Sequence, residues 1–218
     1  MGLSSATHDP NEFEALRRAS QGYPEGLEDL FTRYRTRLRR MIRLRLDRRL
    51  QGRVDPSDVI QEVYLEVSRQ IGDYLRDPAL PFFLWLRFLV GQRILEQHRR
   101  HLGAQARDAG REVSLYRGPM PAATSAALAA QLLGKRTTPS QAAIKAELKI
   151  RLQDALNSME DLDREVLALR HFEQLTNAET ARVLGIKEST ACNRYVRALE
   201  RLKKVLTGPS GGKQEIWP

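Results

Sequence analysis

The chain is short of several things, and each shortage excludes something. One cysteine, Cys192, stands among 218 residues, which leaves no internal disulfide framework and no cysteine-based zinc cluster. The longest apolar run, residues 81–90, is about half of what a bilayer span needs and is interrupted by Arg87. The opening MGLSSATHDP has no basic run followed by an apolar core, so no secretory signal is expected. No alternating strand pattern and no internal repeat is visible. Acidic residues are the scarcer charge, 27 against 36 Lys plus Arg, for a formal net charge of +9. That excess favours a polyanionic partner, either nucleic acid or an anionic membrane surface. With 41% hydrophobic residues the chain has enough apolar material to bury a core. These features predict an intracellular, cytoplasmic protein without membrane insertion.

What is present is helical periodicity in two blocks. The first spans 11–102 and the second 141–206. Between them, 103–140 turns to Ala, Gly, Ser, Thr and Pro and reads as a flexible linker, with a short helix over 126–133. A tail, 207–218, reads as frayed. The expected fold is all-α, two small helical domains on a tether.

In the first block Leu27, Phe31, Tyr34, Leu38 and Met41 recur at three- and four-residue spacing and form one apolar stripe. Ten arginines and a single acid, Asp47, lie between Arg33 and Arg53. A solvated face is the plainer reading of such a run, yet ten unbalanced charges repel, so some are expected to meet phosphate or an acidic surface. The following DPSDVIQEVYLEVSRQ starts with Asp55 as a cap and Pro56 at the first helical position. Val59, Val63 and Val67 are its buried stripe. Asp58, Glu62 and Glu66 run beside them at i, i+4 and i+8. Like charges so spaced destabilise a lone helix by about 0.2–0.5 kcal/mol per pair, so spacing leaves a basic partner and a solvated acidic face equally open. FFLWLRFLVGQRILEQHRRHLG is apolar nearly all round in its first half and basic in its second. Aromatics followed by arginines and amides suit a strand with exposed bases, although core packing is the simpler role for Trp85 and Phe88. His98 and His101 lack partners at a metal-ligand spacing and are expected on the surface.

The second block carries the stronger local signal. Leu156, Met159, Leu162, Val166, Leu167 and Leu169 fit a helix-pair core. Thr176 with Glu179 three positions on is a capping box, and Gly185 suits the left-handed turn that ends that helix. A further helix starts near residues 188–189 and is expected to carry Tyr195, Val196, Leu199 and Leu202 inward. Helix, short glycine-containing turn, helix is the helix-turn-helix pattern. Six basic residues face two acids from Lys187 to Lys204, whereas Asp154 to Glu179 holds seven acids and two arginines.

Taken in order, DPSDVIQEVYLEV, FFLWLRFLVGQRILEQHRR and LTNAETARVLGIKESTACNRYVRALERLKK resemble the motifs of a sigma-70 family RNA polymerase sigma factor of the extracytoplasmic-function class. The resemblance covers about residues 11–206. It implies that 11–102 is sigma region 2, which grips the beta-prime clamp helices of core RNA polymerase and opens the minus-10 element. It implies that 141–206 is sigma region 4, which binds the minus-35 element and the beta flap. Residue by residue, it assigns Asp58, Gln61 and Glu62 to polymerase binding. Tyr74, Gln92, Arg93, Arg99 and Arg100 go to minus-10 DNA, with the base-capturing loop over about 73–82. Lys187, Ser189, Thr190, Asn193, Arg194 and Arg197 go to minus-35 DNA. An anti-sigma factor is a further candidate partner, and no catalytic residue, cofactor or metal is implied. Gln92 stands where the family usually has Asn and Glu96 where it usually has Asp. The loop before Phe83 is about two residues longer than usual. Cys192 takes a position commonly Lys or Arg, and Thr180 replaces an aliphatic residue. These departures bear on promoter sequence rather than on function class.

Two other classes compete. A stand-alone helix-turn-helix regulator typically needs a dimer interface for two half-sites, and no heptad seam or ligand-pocket signature is visible. A recombinase-like enzyme needs an activated nucleophile or converging metal-binding carboxylates, which Asp58, Glu62 and Glu66 on one outward face do not supply.

Overall fold

The computed structural model describes residues 9–102, 120–134 and 142–207. Among them the regular structure is helical, with one isolated bridge between Gln51 and Val54, as the lack of alternation predicts. The chain divides into two compact units, one within residues 1–121 and one within 122–182 and 186–218, with 183–185 grouped with the first.

The first unit is built from α1 (Pro10–Ser20), α2 (Glu25–Arg45), α3 (Pro56–Arg76) and α4 (Phe82–Leu102). Asp9 caps α1 and Asp55 caps α3, each with proline at the first helical position, where the missing N–H costs nothing. Gly26 permits a close crossing of α1 and α2: a Cβ there would stand 2.9 Å from the Ala15 carbonyl oxygen. The predicted α2 stripe is buried throughout, as are Val59, Val63 and Val67 of α3. They meet Phe82, Phe83, Leu86 and Val90 of α4, which are buried in turn. Each helix thus turns its apolar stripe into one shared core.

Two expectations for this unit change. Helix α3 continues through Arg76, so the connection to α4 is 77–81 rather than a loop from residue 73. His98 is buried rather than on the surface; its Nε2 accepts the Asp47 backbone N–H at 3.0 Å. A histidine late in a basic helix gives no sequence sign of such an acceptor role, because Asp47 is 51 residues away.

The second unit holds α5 (Ser125–Leu132), α6 (Ala142–Asn157), α7 (Asp161–Leu167), α8 (Asn177–Leu184) and α9 (Glu188–Leu206). Helix α5 lies within one residue of the short helix read in the linker. Thr124 caps it, and it packs on α6 with Leu128 and Ala129 buried. Alanine-rich composition suits a helix as well as a tether, so this unit begins nearer residue 122 than 141. The remainder of the linker, 103–119 and 135–141, and the tail from 208 lie outside the described residues. Helix α7 runs on into a π turn at Ala168–Phe172, after which Gln174 adopts a positive φ of 55°. The core is Leu152, Leu156, Val166, Leu169, Ala191, Ala198 and Leu202.

Candidate functional site

The first surface lies along α3. Asp58, Gln61 and Glu62 are all exposed, and Leu65, 55% exposed, sits among them. Leu65 was missed in sequence because a leucine in a helix is ordinarily assigned to the core. Glu66 does not complete the acidic stripe. It accepts Arg93 of α4 at 3.0 Å and a close hydrogen bond from Gln70. Four residues turn a helix by about 40° beyond a full circle, so the stripe drifts, and by its third member it faces α4. Beside Gln61, a groove of about 210 Å³ is lined by Phe31, Ile60 and Tyr64.

The second surface is on α4. Tyr74 does not face it: the ring is 7% exposed and stacks on Trp85 with centroids 4.4 Å apart. Its hydroxyl donates to the Leu80 carbonyl at 2.9 Å, and burial pushes its pKa well up. Its ring and hydroxyl are therefore committed to holding the 77–81 connection, which corrects its assignment as a pocket wall. Gln92, Arg99 and Arg100 are exposed. Arg93 is half-buried between Glu66 at 3.0 Å and Glu96 at 2.7 Å, and Glu96 also meets Arg100 at 3.3 Å. Trp85, Phe88, Gln92 and Arg99 follow at three-, four- and seven-residue steps and share one side of α4. The two aromatics are half-buried rather than sealed in the core. That side offers planar rings, an amide and a guanidinium in a row, the combination that stacks and hydrogen-bonds unpaired bases.

The third surface is the helix-turn-helix. The capping box forms in both directions: Glu179 N–H donates to Thr176 Oγ1 at 3.1 Å, and Thr176 N–H donates to Glu179 Oε2 at 2.7 Å. Gly185 takes φ 66°, and Asn177 Nδ2 donates to the Glu188 carbonyl at 3.0 Å, fastening the start of α9 to α8. The outward side of α9 presents Ser189, Asn193 and Arg197, with Thr190 half-buried and Lys187 exposed just before the helix. Val196 corrects expectation, being 47% exposed; Leu202 is buried as expected, Tyr195 and Leu199 are half-buried, and Ala191 and Ala198 are further inward positions.

Arg194 borders the same groove as Thr190, Asn193 and Arg197 but is held by acids of its own domain. Its side chain is 19% exposed and reaches Glu160 at 2.8 Å and Asp163 at 2.6 Å. Both carboxylates raise its pKa, led by the hydrogen bond to Glu160, and Arg194 in turn lowers that of Glu160. Two of the acids read as the front of this domain, Glu160 and Asp163, thus clamp α9. Arg197, 61% exposed, lies 3.7 Å from Asp163 and keeps most of its guanidinium in solvent. Among the described residues no three His, Cys, Asp or Glu side chains gather as a metal site requires, and no helix is long and apolar enough to cross a membrane.

The family model described as Sigma-70, region 4 matches residues 149–202, the stretch from α6 to α9. The ECF RNA polymerase sigma factor SigD of Mycobacterium tuberculosis is 27% identical over 188 residues, 86% of this chain and 80% of that protein. SigM of the same species is 26% identical over 199 residues, 91% of this chain and 86% of that one. The RNA polymerase sigma-E factor of Streptomyces antibioticus is 40% identical over 55 residues, 25% of this chain and 31% of that one. In fold, the chain is similar to CnrH, solved in complex with the cytosolic domain of CnrY, at a TM-score of 0.51 and 19% identity over 92% of this chain and 99% of that one.

Proposed function

Because the chain belongs to the sigma-70 family of RNA polymerase sigma factors, in the extracytoplasmic-function class, we propose how its three surfaces divide the work of promoter-specific initiation. Sigma factors as a family are not enzymes; they bind core polymerase and direct it to promoters in the cytoplasm. Here α3 is the polymerase-binding element: Asp58, Gln61 and Glu62 meet a basic helical partner, the beta-prime clamp helices. Leu65 and the Phe31–Ile60–Tyr64 groove supply an apolar seat between the charges.

The α4 side with Trp85, Phe88, Gln92 and Arg99 receives the melted minus-10 strand. Unstacking a base takes a few kcal/mol, and ring stacking returns about 1–3 kcal/mol per base. Arg100 meets the backbone. Arg93 holds α4 to α3 through Glu66, and Tyr74 shapes the connection that borders the site. In the second unit α9 enters the major groove of the minus-35 element. Ser189, Thr190, Asn193 and Arg197 reach the bases or phosphates, Lys187 meets the backbone, and Arg194 positions the helix. The beta flap is the protein partner of this unit, and an anti-sigma factor that masks these surfaces is the further partner proposed.

The observation that carries the reading is the doubly closed capping box and left-handed Gly185 setting the basic helix α9 outward. A stand-alone regulator would share that feature but would leave the exposed acidic side of α3 without a partner. The test adds the full chain to core polymerase and assays transcripts from promoter templates. Promoter-dependent transcripts are expected. Promoter binding by the chain alone, with no effect of polymerase, would favour the regulator.

A further inference from the structure

Ten arginines lie between Arg33 and Arg53, and the structure sorts them. Arg37 lies 3.6 Å over the Phe83 ring. Arg45 is buried and donates to the Pro121 carbonyl at 2.7 Å. Arg49 pairs with Asp47 at 3.0 Å, and Arg33 faces Glu12 at 3.6 Å. A different set points outward. Arg35, Arg39 and Arg43 follow at i, i+4 and i+8 on the side of α2 away from its core residues Tyr34 and Met41. Arg35 and Arg43 are exposed and Arg39 half-buried, and Arg48 and Arg53 are exposed in the connection after α2. None of these five lies within 4 Å of a carboxylate among the described residues.

Helix α2 carries its acids, Glu25, Glu28 and Asp29, in its first turns and has none from Thr32 to Arg45. Asp55 is nearest in effect. Its carboxylate is committed to capping α3 through the Ser57 N–H at 2.7 Å, and the field of Arg39 and Arg43 reaches it only as a secondary influence. The Nε of Arg39 is buried without an acceptor. This is a row of guanidiniums left without counter-charge, which destabilises the unliganded chain by mutual repulsion.

We infer that Arg35, Arg39, Arg43, Arg48 and Arg53 form a further nucleic-acid contact, a sequence-independent seat for the phosphate backbone of duplex DNA. Successive stripe members are about 6 Å apart along the helix, and duplex DNA offers a phosphate about every 1.7 Å of its axis, so each fork finds an acceptor. No exposed aromatic accompanies the stripe, which removes the stacking platform a single strand needs. The apolar Phe31–Ile60–Tyr64 groove borders the row only at Arg35, and Arg39, Arg43, Arg48 and Arg53 have no apolar centre of the kind typical of a protein interface. The His98–Asp47 hydrogen bond of 3.0 Å brings the arginine-bearing connection to the end of the unit where Arg99 and Arg100 lie. A duplex continuing past that end of α4 meets Arg48 first and the α2 stripe after it. The inference adds to the sigma-factor reading; Arg35 borders the groove given there to polymerase, and the other four arginines lie outside its assigned residues.

The test measures binding of the full chain to a labelled duplex lacking both promoter elements, by fluorescence anisotropy between 50 and 200 mM salt. The Arg39→Gln/Arg43→Gln/Arg48→Gln variant is expected to give a log K against log salt slope shallower by roughly 0.9 per lost contact. The corresponding triple Lys variant keeps the wild-type slope, because phosphate neutralisation needs charge rather than a particular fork. If the triple Gln variant loses helical content, Arg48→Gln/Arg53→Gln, outside the long helices, carries the measurement, with a slope change of roughly 1.8 expected. A folded Gln variant with the wild-type slope overturns the inference. So does a loss confined to core-polymerase binding, which would make the row a seat for an acidic protein. Failure of the sigma-factor reading would appear separately, as absent promoter-dependent transcripts from the wild-type chain.

Discussion

Thr180 and His98 show how one side chain can set a local stability that its neighbours do not reveal. Thr180 is fully buried and its Oγ1 has no hydrogen-bond partner, at a position where the family usually carries an aliphatic residue. A buried hydroxyl without a partner forfeits its hydration and gains nothing in return. Thr180→Val keeps the shape and is expected to stabilise the second unit by about 1 kcal/mol, read as a higher denaturant midpoint. His98 is different, because it is satisfied only when neutral. Its Nε2 accepts the Asp47 N–H, and burial pushes its pKa below the ordinary 6.5, with Asp47 pulling it up and Arg49 pushing it further down. In the unfolded chain the imidazole protonates near its ordinary value, so below it the unfolded state binds more protons. The contribution is therefore complete above about pH 6.5 and is lost as pH falls toward the lowered folded value. His98→Gln retains an acceptor that does not titrate, and its midpoint should fall less between pH 7 and pH 5. An identical pH profile for both proteins would remove His98 as the source.

At the scale of elements, α3 and α9 both sort like residues into unlike roles. Asp58 and Glu62 face solvent, whereas Glu66 is tied to Arg93. Asp58→Lys/Glu62→Lys is expected to weaken core-polymerase binding with helical content little changed, since the i, i+4 like-charge pair is kept with its sign reversed and the second new lysine gains Glu66 four residues on. Glu66→Lys should lower the melting midpoint instead, by setting a like charge against Arg93, which keeps only Glu96. Equal polymerase binding by the wild type and the double variant would move the interface off this face. On α9, Arg197→Ala is expected to reduce minus-35 affinity by roughly 1–3 kcal/mol if it reads a base edge, and evenly across sequences if it meets phosphate. Arg194→Ala leaves Asp163, whose side chain is 12% exposed, without its close partner. The expected result is a midpoint lower by on the order of 5 °C with minus-35 sequence preference unchanged. Altered preference in that variant would return Arg194 to the reading surface.

For the molecule as a whole, each unit has a buried core of its own, Leu38, Met41, Val63 and Val90 in one and Leu152, Leu156, Val166 and Leu202 in the other. Units so built generally unfold as separate cooperative steps. Trp85 reports on the first, stacked on Tyr74, once Trp217→Phe silences the other tryptophan. In that background the Trp85 transition should depart from the helix signal of the whole chain, and Thr180→Val should shift only the latter. Coincident transitions that Thr180→Val moves together would show one cooperative body.

What the sequence determined by itself is whatever is settled within a few turns of chain. Helix periodicity, the Asp55–Pro56 start, the Thr176–Glu179 box and the Gly185 turn depend on neighbours at most four residues apart, and they stand in the structure as read. The stripes at Val59, Val63 and Val67 and at Leu27 to Met41 are legible for the same reason, since one helical face must be apolar to be buried. Only the tertiary structure decided which polar side chains are already spoken for. Arg194 meets carboxylates 34 and 31 residues away, Arg93 meets Glu66 at a separation of 27, and His98 meets Asp47 at 51. Tyr74 is sealed by Trp85 across a connection whose path no local pattern specifies. A charge or ring reads the same in sequence whether its partner is another molecule or another helix of its own. Packing brings the internal partner within reach, and the side chains it leaves outward are those available to polymerase and DNA.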